Sequence, residues 1–498
     1  MTEVKVSWKG KEEKYSVPGT ESDIWRCVGM TLLRVGDDVP CEMDVEVSGD
    51  MTGKAVLNII RRGKFIKDGV EHPSMYVVPV YNGINVSSSE YQKAYLTCIN
   101  PESNNYKFYE FIPNNTSGRT INVGARYGRI GSERGEAFGV KDLREPFDSY
   151  LYWIRYYEKL SKGYKDTSSI YLAKQAELKK AKPEDSSNNK EEKSAKKTTP
   201  ESVELYSMLK AFANQVVQEV LQDPKVVTEA QIKESKKIWT KLGNYKTVKT
   251  FNKHLMELMA ICPRKCRYVS EYLASSTDDF GRILDREEAL INAMQIADDT
   301  SEVSKGEKES FADYDIGVFA PTEEQKKQVI GHLPAELQAK VRTVYRVIPK
   351  KQTELYEQYV KDHPSVKEKF YYHGSKNCNW GSIIINSLSL HPNAAITGKM
   401  LGNGIYFAPS AMKSWGYISA YGSYWAHGNS STGIMGIYKV AEDSLDVTNN
   451  IRQYSPRELG THNSVYAARG GYYGLRGDEM CLFDEHALCL QYILVFNC

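Results

Sequence analysis

Hydrophobic and polar residues alternate in several short stretches of the first 170 residues, and this period of two predicts β-strands. The alternation is clearest in three stretches, Val4–Trp8, Asp44–Ser48 and Asn105–Phe111. The apolar stretch Met75–Val80 is followed by an Asn-Gly pair, which favours a tight turn. We therefore expect a small β domain over residues 1–84 and a second β domain, with one helix near residues 149–160, over residues 85–170.

Between residues 202 and 298 the apolar positions recur every three or four residues, a spacing that predicts amphipathic helices. One face of the first helix collects five apolar side chains, those of Leu205, Met208, Leu209, Phe212 and Val216. Thr228 and Gln231 form a capping-box pattern at the start of the next helix, which Gly243 ends. This region is therefore expected to be an all-α bundle.

Two polar segments separate these regions from the rest of the chain. Residues 171–201 and 299–312 contain few apolar residues and charges of both signs, a composition typical of disordered linkers. The first linker is rich in Glu, Lys and Ser, which would serve as acceptors in a modification reaction, although such stretches are more often simple tethers. Residues 313–498 then mix strands and helices and form a separate α+β domain.

The overall composition gives no sign of a globally basic, nucleic-acid-binding protein. A length of 498 residues and a net charge of +2 describe a multidomain protein whose global charge does not indicate nucleic-acid binding. Any basic patch must be local, as in Arg61–Lys67, where four cations surround one Phe. That segment could contact phosphates, although a solvated strand edge is the simpler interpretation.

Targeting features also limit the location of the protein. The chain has no apolar run long enough for a transmembrane helix and no signal-peptide core at its start. We expect an intracellular protein without membrane contact, nuclear if eukaryotic and cytoplasmic if bacterial or viral, with reduced cysteines. Cys262 and Cys266 lack partner ligands in the sequence nearby and are interpreted as packing thiols, so no metal is expected.

The most informative stretch is Tyr371–Tyr417. A predicted strand near the carboxyl terminus, which begins with a carboxylate residue, adds to it. Five pieces occur in order: His-Gly-Ser at 373–375, TGKMLGNGIYFA at 397–408, Lys413-Ser414 with Tyr417, HNSV at 462–465, and Glu479. This order resembles the catalytic domain of the poly(ADP-ribose) polymerases, ADP-ribosyltransferases with a His-Tyr-Glu triad. No Gly-rich Rossmann turn is present, which agrees with a different way of holding NAD.

The resemblance implies roles for individual residues, with NAD as substrate and no metal. The implied catalytic residues are Glu479, His373 and Tyr406. The implied NAD-binding residues are His373, Gly374, Ser375, Tyr406, Ser414 and Tyr417. Lys413 would lie on the acceptor side, and residues 388–401 would form a loop over the NAD site. Members of this family that retain the Glu extend ADP-ribose chains, whereas members that lack it transfer single units.

Each of these residues also has a simpler interpretation when taken alone. His373 suits a hydrogen-bonded core position, Tyr406 suits a sheet, and Glu479 has a nearby cation in Arg476. Glu485 is an alternative position for the catalytic carboxylate, but its surroundings form a poorer strand. The joint order of the five pieces favours the active-site interpretation.

The region around residues 123–131 resembles the WGR domain of the same polymerases, with Tyr127 in place of the Trp of that motif and Arg129 as its Arg. The resemblance implies DNA binding by these two residues, through stacking and a phosphate contact. A core role for Tyr127 and an ion pair for Arg129 are equally good interpretations. The bundle at 202–298 resembles the helical regulatory domain that blocks NAD in the DNA-dependent members.

The sequence thus predicts an NAD-dependent ADP-ribosyltransferase with five parts. It is expected to modify protein side chains, including its own, to release nicotinamide, to form polymer, and to respond to DNA ends or nicks as part of DNA repair. Two alternatives stay open: a mono-ADP-ribosyltransferase with another activator, and a catalytically inactive DNA-binding scaffold.

Overall fold

The computed structural model describes residues 1–67, 69–80, 84, 91–114, 122–131, 141–148, 151–173, 198–222, 227–297, 309–390, 400–423, 427–470 and 475–498. These residues form two compact units. The first unit combines Met1–Gln175 with Met259–Tyr272, and the second combines Ala176–Leu258 with Leu273–Cys498.

The amino-terminal sheet of the first unit is antiparallel and has the order β2-β1-β3-β4-β5 among the described residues. Its strands are β1 (Thr2–Trp8), β2 (Lys11–Val17), β3 (Glu42–Gly49), β4 (Gly53–Lys67) and β5 (Val70–Val80). Helix α1 (Glu21–Val35), which was not predicted, lies between β2 and β3 of the β-rich region expected over residues 1–84. The sequence carried its signals: a Thr20–Asp23 capping box and buried residues at helical spacing, Ile24, Val28 and Leu32.

A second antiparallel sheet follows, with the order β10-β6-β7-β8-β9 in the described part of the unit. Its strands are β6 (Ala94–Asn100), β7 (Asn105–Asn114), β8 (Asn122–Arg129), β9 (Lys141–Asp148) and β10 (Lys165–Asp166). The predicted helix is present as α2 (Leu151–Ser161). Its Tyr152 packs beneath the sheet with Phe111 and Tyr91.

Helices α1 and α2 join the two sheets. Gly29 lies at their crossing, where a Cβ atom would be 2.4 Å from the Tyr157 ring and 2.7 Å from the Trp153 carbonyl oxygen. The Trp153 indole donates a 2.8 Å hydrogen bond to Ser22 Oγ. The missing side chain at residue 29 therefore permits the close packing that holds the two sheets in one unit.

The predicted helical region contains α3 (Pro200–Val220), α4 (Glu229–Leu242), α5 (Val248–Ile261) and α6 (Asp279–Ala297). The Thr228–Gln231 capping box begins α4 as expected. Helix α3 begins inside the segment predicted as a linker, because Pro200 at its first turn and the Thr199 side chain cap it. Residues 168–173 are also helical, and the rest of that predicted linker, 174–197, lies outside the described residues.

Two sheets form the carboxyl-terminal part of the second unit. The larger, with the order β11-β12-β19-β15-β13, contains β11 (Ile316–Phe319), β12 (Val341–Pro349), β13 (Lys367–Gly374), β15 (Thr432–Glu442) and β19 (Leu488–Asn497). The smaller, with the order β14-β18-β17-β16, contains β14 (Ile405–Phe407), β16 (Ser444–Asp446), β17 (Ser464–Ala467) and β18 (Glu479–Leu482). The helices beside them are α7 (Glu323–Gly331), α8 (Ala335–Gln338), α9 (Lys350–Asp362), α10 (Trp380–Asn386) and α11 (Ala411–Trp415).

Helix α3 shares a core with the larger sheet. Its Leu205, Tyr206 and Leu209 are buried with Phe311 and Tyr345 in one apolar cluster. Phe311 begins a 3₁₀ turn at the end of the second predicted linker, so that segment contributes to the core, while residues 298–308 lie outside the described part. The first helix of the bundle is therefore packed as part of the core of the carboxyl-terminal α+β region.

Candidate functional site

The site forms where β13 ends beside β14. A bridge between Tyr372 and Ala408 joins the two strands and brings His373 beside Tyr406. The Nδ1 atom of His373 lies 2.9 Å from the Tyr406 carbonyl oxygen. Because a carbonyl can only accept, Nδ1 carries the hydrogen, and burial lowers the pKa of His373. The imidazole is thus neutral, with Nε2 as its acceptor nitrogen.

Gly374 lies against α11 at the same strand end. A Cβ atom at residue 374 would be 2.1 Å from the Ser414 carbonyl oxygen, so only glycine fits there. The Ser414 hydroxyl is buried and donates a 3.0 Å hydrogen bond to the Tyr372 carbonyl oxygen. The next residue, Ser375, accepts a 3.0 Å hydrogen bond from Asn379 Nδ2. These contacts hold three predicted NAD-binding residues in one place.

Tyr406 anchors the end of the loop predicted to cover the site. Its hydroxyl accepts from the Leu401 backbone nitrogen at 2.8 Å and donates to the Gly402 carbonyl oxygen at 2.9 Å. Burial raises the pKa of this phenol. The start of the loop is held by the exposed Glu485, which accepts from the Leu390 nitrogen at 2.5 Å, and residues 391–399 of the predicted loop lie outside the described part.

Glu479 begins β18, where it pairs with Ala467 of β17. Lys413 Nζ contacts its Oε1 at 2.6 Å, and the side chains of the pair are only 11% and 7% exposed. The second carboxylate oxygen is buried and has no hydrogen-bond partner within the described residues. A buried oxygen of this kind normally has a donor, so this oxygen retains the capacity to accept a hydrogen bond.

The same carboxylate lies near both predicted stacking tyrosines. Burial is the main cause of the raised pKa of Tyr417, and the charge of Glu479 adds to it. The charge of Glu479 also contributes to the raised pKa of Tyr406, after burial and Cys481. A negative charge near a phenol disfavours the phenolate, so the effect places Glu479, Tyr406 and Tyr417 in one neighbourhood.

A cleft of about 370 Å³ has one wall that includes His373, Gly374, Ser375 and Tyr406. Among the described residues, Glu479 and Tyr417 do not belong to its lining. Its opposite wall comes from helices α4 and α6, whose lining side chains include Lys236, Trp239, Glu288 and Asn292. Sequence reasoning missed this helical wall, because helical periodicity shows which residues face a core but not which cleft they line.

Helix α6 packs tightly on α10 at the edge of the cleft. A Cβ atom at Gly381 would meet the Ile296 side chain at 1.5 Å, so the two helices approach within glycine distance. Gln295 Oε1 accepts hydrogen bonds from the Ser382 hydroxyl and, at 3.2 Å, from Asn386 Nδ2. These contacts hold α6 of the helical wall against α10 at the edge of the cleft.

The residues predicted to bind DNA lie on β8 in the first unit. Tyr127 is half-buried and stacks on Tyr109, with ring centroids 5.7 Å apart and planes 7° apart. Arg129 donates to the carbonyl oxygens of Asn104, Cys266 and Arg267. Arg129 therefore ties Met259–Tyr272, the segment inserted from the helical region, to the sheet.

The described residues contain neither a cluster of metal ligands nor a membrane-spanning helix. No group of three or more His, Cys, Asp or Glu side chains in the described ranges is arranged to hold a metal ion. Helices long and apolar enough to cross a bilayer are absent from the same ranges.

Comparison with known proteins gives a family for the catalytic region. Residues 323–430 match the family model of the poly(ADP-ribose) polymerase catalytic domain. Over 81 residues the chain is 38% identical to poly(ADP-ribose) polymerase tankyrase of Caenorhabditis elegans, covering 16% of this chain and 3% of that protein. Over 100 residues it is 31% identical to poly(ADP-ribose) polymerase 2 of Homo sapiens, covering 20% of this chain and 16% of that protein.

The chain thus contains a poly(ADP-ribose) polymerase catalytic domain, as its motifs predicted. The matched range includes His373, Tyr406 and Tyr417 and ends before Glu479. The chain spans only a small part of the length of both curated relatives. The comparison bears on the catalytic domain and leaves the WGR-like and helical assignments as predictions.

Proposed function

We propose that this protein is an NAD-dependent ADP-ribosyltransferase that attaches ADP-ribose to protein side chains and releases nicotinamide. The observation that carries the proposal is the buried Glu479, held by Lys413 through one oxygen while the other oxygen has no partner in the described residues. A carboxylate placed in this way can accept from a ribose hydroxyl and stabilise positive charge. The catalytic-domain match over residues 323–430 supports the same chemistry.

The proposed reaction breaks the bond between nicotinamide and the ribose carbon C1′. Nicotinamide leaves with the bonding electron pair, and the sugar passes through an oxocarbenium-like state. The acceptor oxygen then forms the new bond to C1′, and its proton passes to Glu479. Lys413 acts as a positioning residue, because its ammonium fixes one carboxylate oxygen.

The remaining residues would hold NAD. Gly374 lets the carboxamide of nicotinamide approach the β13 backbone, and Ser414 Oγ has lone pairs and a rotatable hydrogen beside it. Tyr406 and Tyr417 would cover the nicotinamide ring, at about 1 kcal/mol per stacking contact. The Nε2 acceptor of His373 suits a hydroxyl of the adenosine ribose, with Ser375 beside it.

We further propose that the product is polymer and that the protein modifies itself among other proteins. Chain extension requires activation of a ribose hydroxyl as acceptor, and a carboxylate at residue 479 supplies the base for that step. Linker residues 171–201 offer Glu, Lys and Ser side chains for self-modification.

The proposed regulator is a DNA end or nick. Helices α4 and α6 narrow the cleft beside His373, so their displacement would widen the path for NAD. Arg129 connects the β8 strand to Met259–Tyr272, a segment continuous in the chain with those helices. Binding of DNA at the WGR-like sheet would thereby change the position of the bundle, which fits a role in the DNA damage response.

The test is incubation of the purified chain with labelled NAD, with and without nicked duplex DNA. A DNA-dependent smear above the protein band supports a DNA-activated polymerase. A sharp DNA-independent band would replace polymer formation and DNA activation with mono-transfer. Absence of both label and released nicotinamide, under either condition, would contradict the transferase assignment and favour a scaffold.

A further inference from the structure

The β4–β5 hairpin extends beyond the sheet to which it belongs. Strand β3 pairs with β4 only as far as Asn58, where it meets Glu42. The register of β4 with β5 continues for nine more residues, to the Lys67–Val70 pair. At about 3.3 Å per residue the projecting ribbon is roughly 25 Å long. A bulge between Arg61 and Lys64 interrupts the ladder within it.

The ribbon is braced at its base by Arg61 and, two residue pairs from its tip, by the paired residues Phe65 and His72. Arg61 donates to the Val39 carbonyl oxygen, and His72 Nδ1 lies 2.8 Å from a carboxylate oxygen of Asp37. The rings of Phe65 and His72 stack at 5.3 Å. A two-stranded ribbon is only marginally stable alone, so these contacts give it a fixed direction.

The ribbon is cationic. It carries Arg61, Arg62, Lys64 and Lys67 against two carboxylates, those of Asp68 and Glu71. Lys64 pairs with Glu71 at 2.8 Å, but the two side chains are 68% and 58% exposed, so the pair is weak. Neither Arg62 nor Lys67 has an ion-pair partner in the part of the chain that the structure describes. The whole chain has a net charge of only +2, so this is a local concentration of positive charge.

Apolar side chains near the tip are exposed as well. Ile66 is 51% exposed and Val70 is 57% exposed, although β-branched side chains are normally buried. In the register Ile66 pairs with Glu71 and Val70 with Lys67, so the two apolar side chains lie on opposite faces of the ribbon, each beside charged residues. This combination of cationic and apolar side chains suits a binding partner whose surface carries both phosphates and apolar groups.

We propose that the ribbon Ile60–Val77 is a binding arm for double-stranded nucleic acid. The major groove of duplex DNA admits a two-stranded ribbon, and its walls are phosphate. Arg62, Lys64 and Lys67 would contact those phosphates, while Ile66 and Val70 would contact sugars and thymine methyl groups. The arm is separate from the Tyr127 and Arg129 strand and does not depend on the transferase chemistry.

The experiment measures binding of the full-length protein, without NAD, to a fluorescent duplex closed at both ends by hairpin loops. A duplex without free ends excludes end binding. The triple variant R62A/K64A/K67A is expected to bind at least tenfold more weakly. The slope of log affinity against log salt should fall by about 2–3, since each phosphate contact contributes roughly 0.9.

Two further variants separate the parts of the proposal. The control K5A/K14A/K54A removes three lysines from the same domain, where each pairs with a glutamate of the sheet, and should bind as the wild type does. The variant I66S/V70S should weaken binding without changing the salt slope, because it removes no charge.

The proposal is wrong if R62A/K64A/K67A keeps the wild-type affinity and salt slope, or if the wild type does not bind the closed duplex. Equal losses in R62A/K64A/K67A and K5A/K14A/K54A would also overturn it, because binding would then follow net charge alone. Thermal unfolding of each variant should stay close to that of the wild type, since the substituted side chains are exposed except for Lys5 and Lys67, which are half-buried.

Discussion

Glu479 and Lys413 form a buried ion pair in which the ammonium group holds one oxygen of the carboxylate. Taking two charges out of water is costly, and the pair is stable only with a short contact, here 2.6 Å. The cost is consistent with a functional requirement, because Lys413 fixes one carboxylate oxygen while the other has no partner within the described residues.

We predict that Glu479→Gln lowers the rate of nicotinamide release by about 10²–10⁴-fold, the range for loss of a general base. The amide keeps the shape of the side chain but cannot take the acceptor proton, so NAD affinity by calorimetry should stay within a few fold. Glu336→Gln, the same change at an exposed position of α8, should be neutral. Full activity of Glu479→Gln would remove Glu479 from the mechanism.

His373 gives a pH prediction. Its pKa is lowered by burial, so the neutral ring that accepts from ribose persists below the usual value of 6.5. We expect kcat/KM for NAD to stay level from about pH 8 down through the pKa of a free histidine, and to fall only at lower pH. His373→Gln should have lower activity without that acidic limb. A fall that is already half complete near neutral pH would contradict a lowered pKa.

Gly374 tests the close approach of β13 to α11. Gly374→Ala would place a Cβ atom 2.1 Å from the Ser414 carbonyl oxygen, so the strand end and α11 must separate. We expect a loss of about 1–3 kcal/mol in the free energy of unfolding, together with weaker NAD binding. Gly331→Ala is the control, since a Cβ atom there meets nothing within 4 Å. Unchanged unfolding and NAD binding in Gly374→Ala would show that the neighbouring backbone yields.

At the scale of elements, the contact between α6 and α10 joins two helices that both line the cleft. Close packing at Gly381, where a side chain would not fit, and the hydrogen bonds of Gln295 hold α6 against α10 of the catalytic domain. The same bundle contributes α3 to the catalytic core, so the bundle cannot leave as a whole without exposing Leu205, Tyr206 and Leu209. Any opening must therefore involve α4 and α6 more than α3.

We predict that Gln295→Ala raises the DNA-independent rate of nicotinamide release several-fold. The substitution leaves two hydrogen-bonding groups of α10 without their partner, at about 1 kcal/mol each, and weakens the closed arrangement. Gln215→Ala, at an exposed position on α3, should leave the rate unchanged. A rate of Gln295→Ala equal to that of the wild type would mean that α6 does not restrict the site.

At the scale of the whole molecule, Arg129 links parts of the chain that are 137 and 138 positions apart. Its three carbonyl acceptors hold Met259–Tyr272 on the sheet that contains Tyr127. A guanidinium that bonds several carbonyl groups acts as a rigid connector, a role that lysine cannot reproduce.

We predict that Arg129→Lys loses most of the stimulation by nicked DNA while keeping the rate measured without DNA. Lys107→Ala, which removes a cation from an exposed position of the neighbouring strand, should keep the stimulation. Nicotinamide release with and without nicked duplex gives the ratio directly. Normal stimulation in Arg129→Lys would exclude this connection from the regulatory path.

Local sequence patterns were sufficient to predict many of the helices and strands. The strands around His373 and Tyr406, the helix with the Thr228 cap and the final strand all follow from patterns within a few residues. Helix α1 also carries a local signal in its capping box, but only the alternating strands on either side of it were predicted.

The sequence by itself determined the order and chemistry of the candidate site, because the motifs consist of residues that are close along the chain. Only the tertiary structure decided that Lys413 pairs with Glu479, that α4 and α6 form a wall of the cleft, and that Arg129 binds backbone carbonyls. The tertiary structure likewise defined the β4–β5 ribbon, because it showed that the pairing of β3 with β4 ends at Asn58. The physical reason is that each of these features joins segments far apart in sequence, and periodicity and composition report only local preference, whereas packing selects the partners.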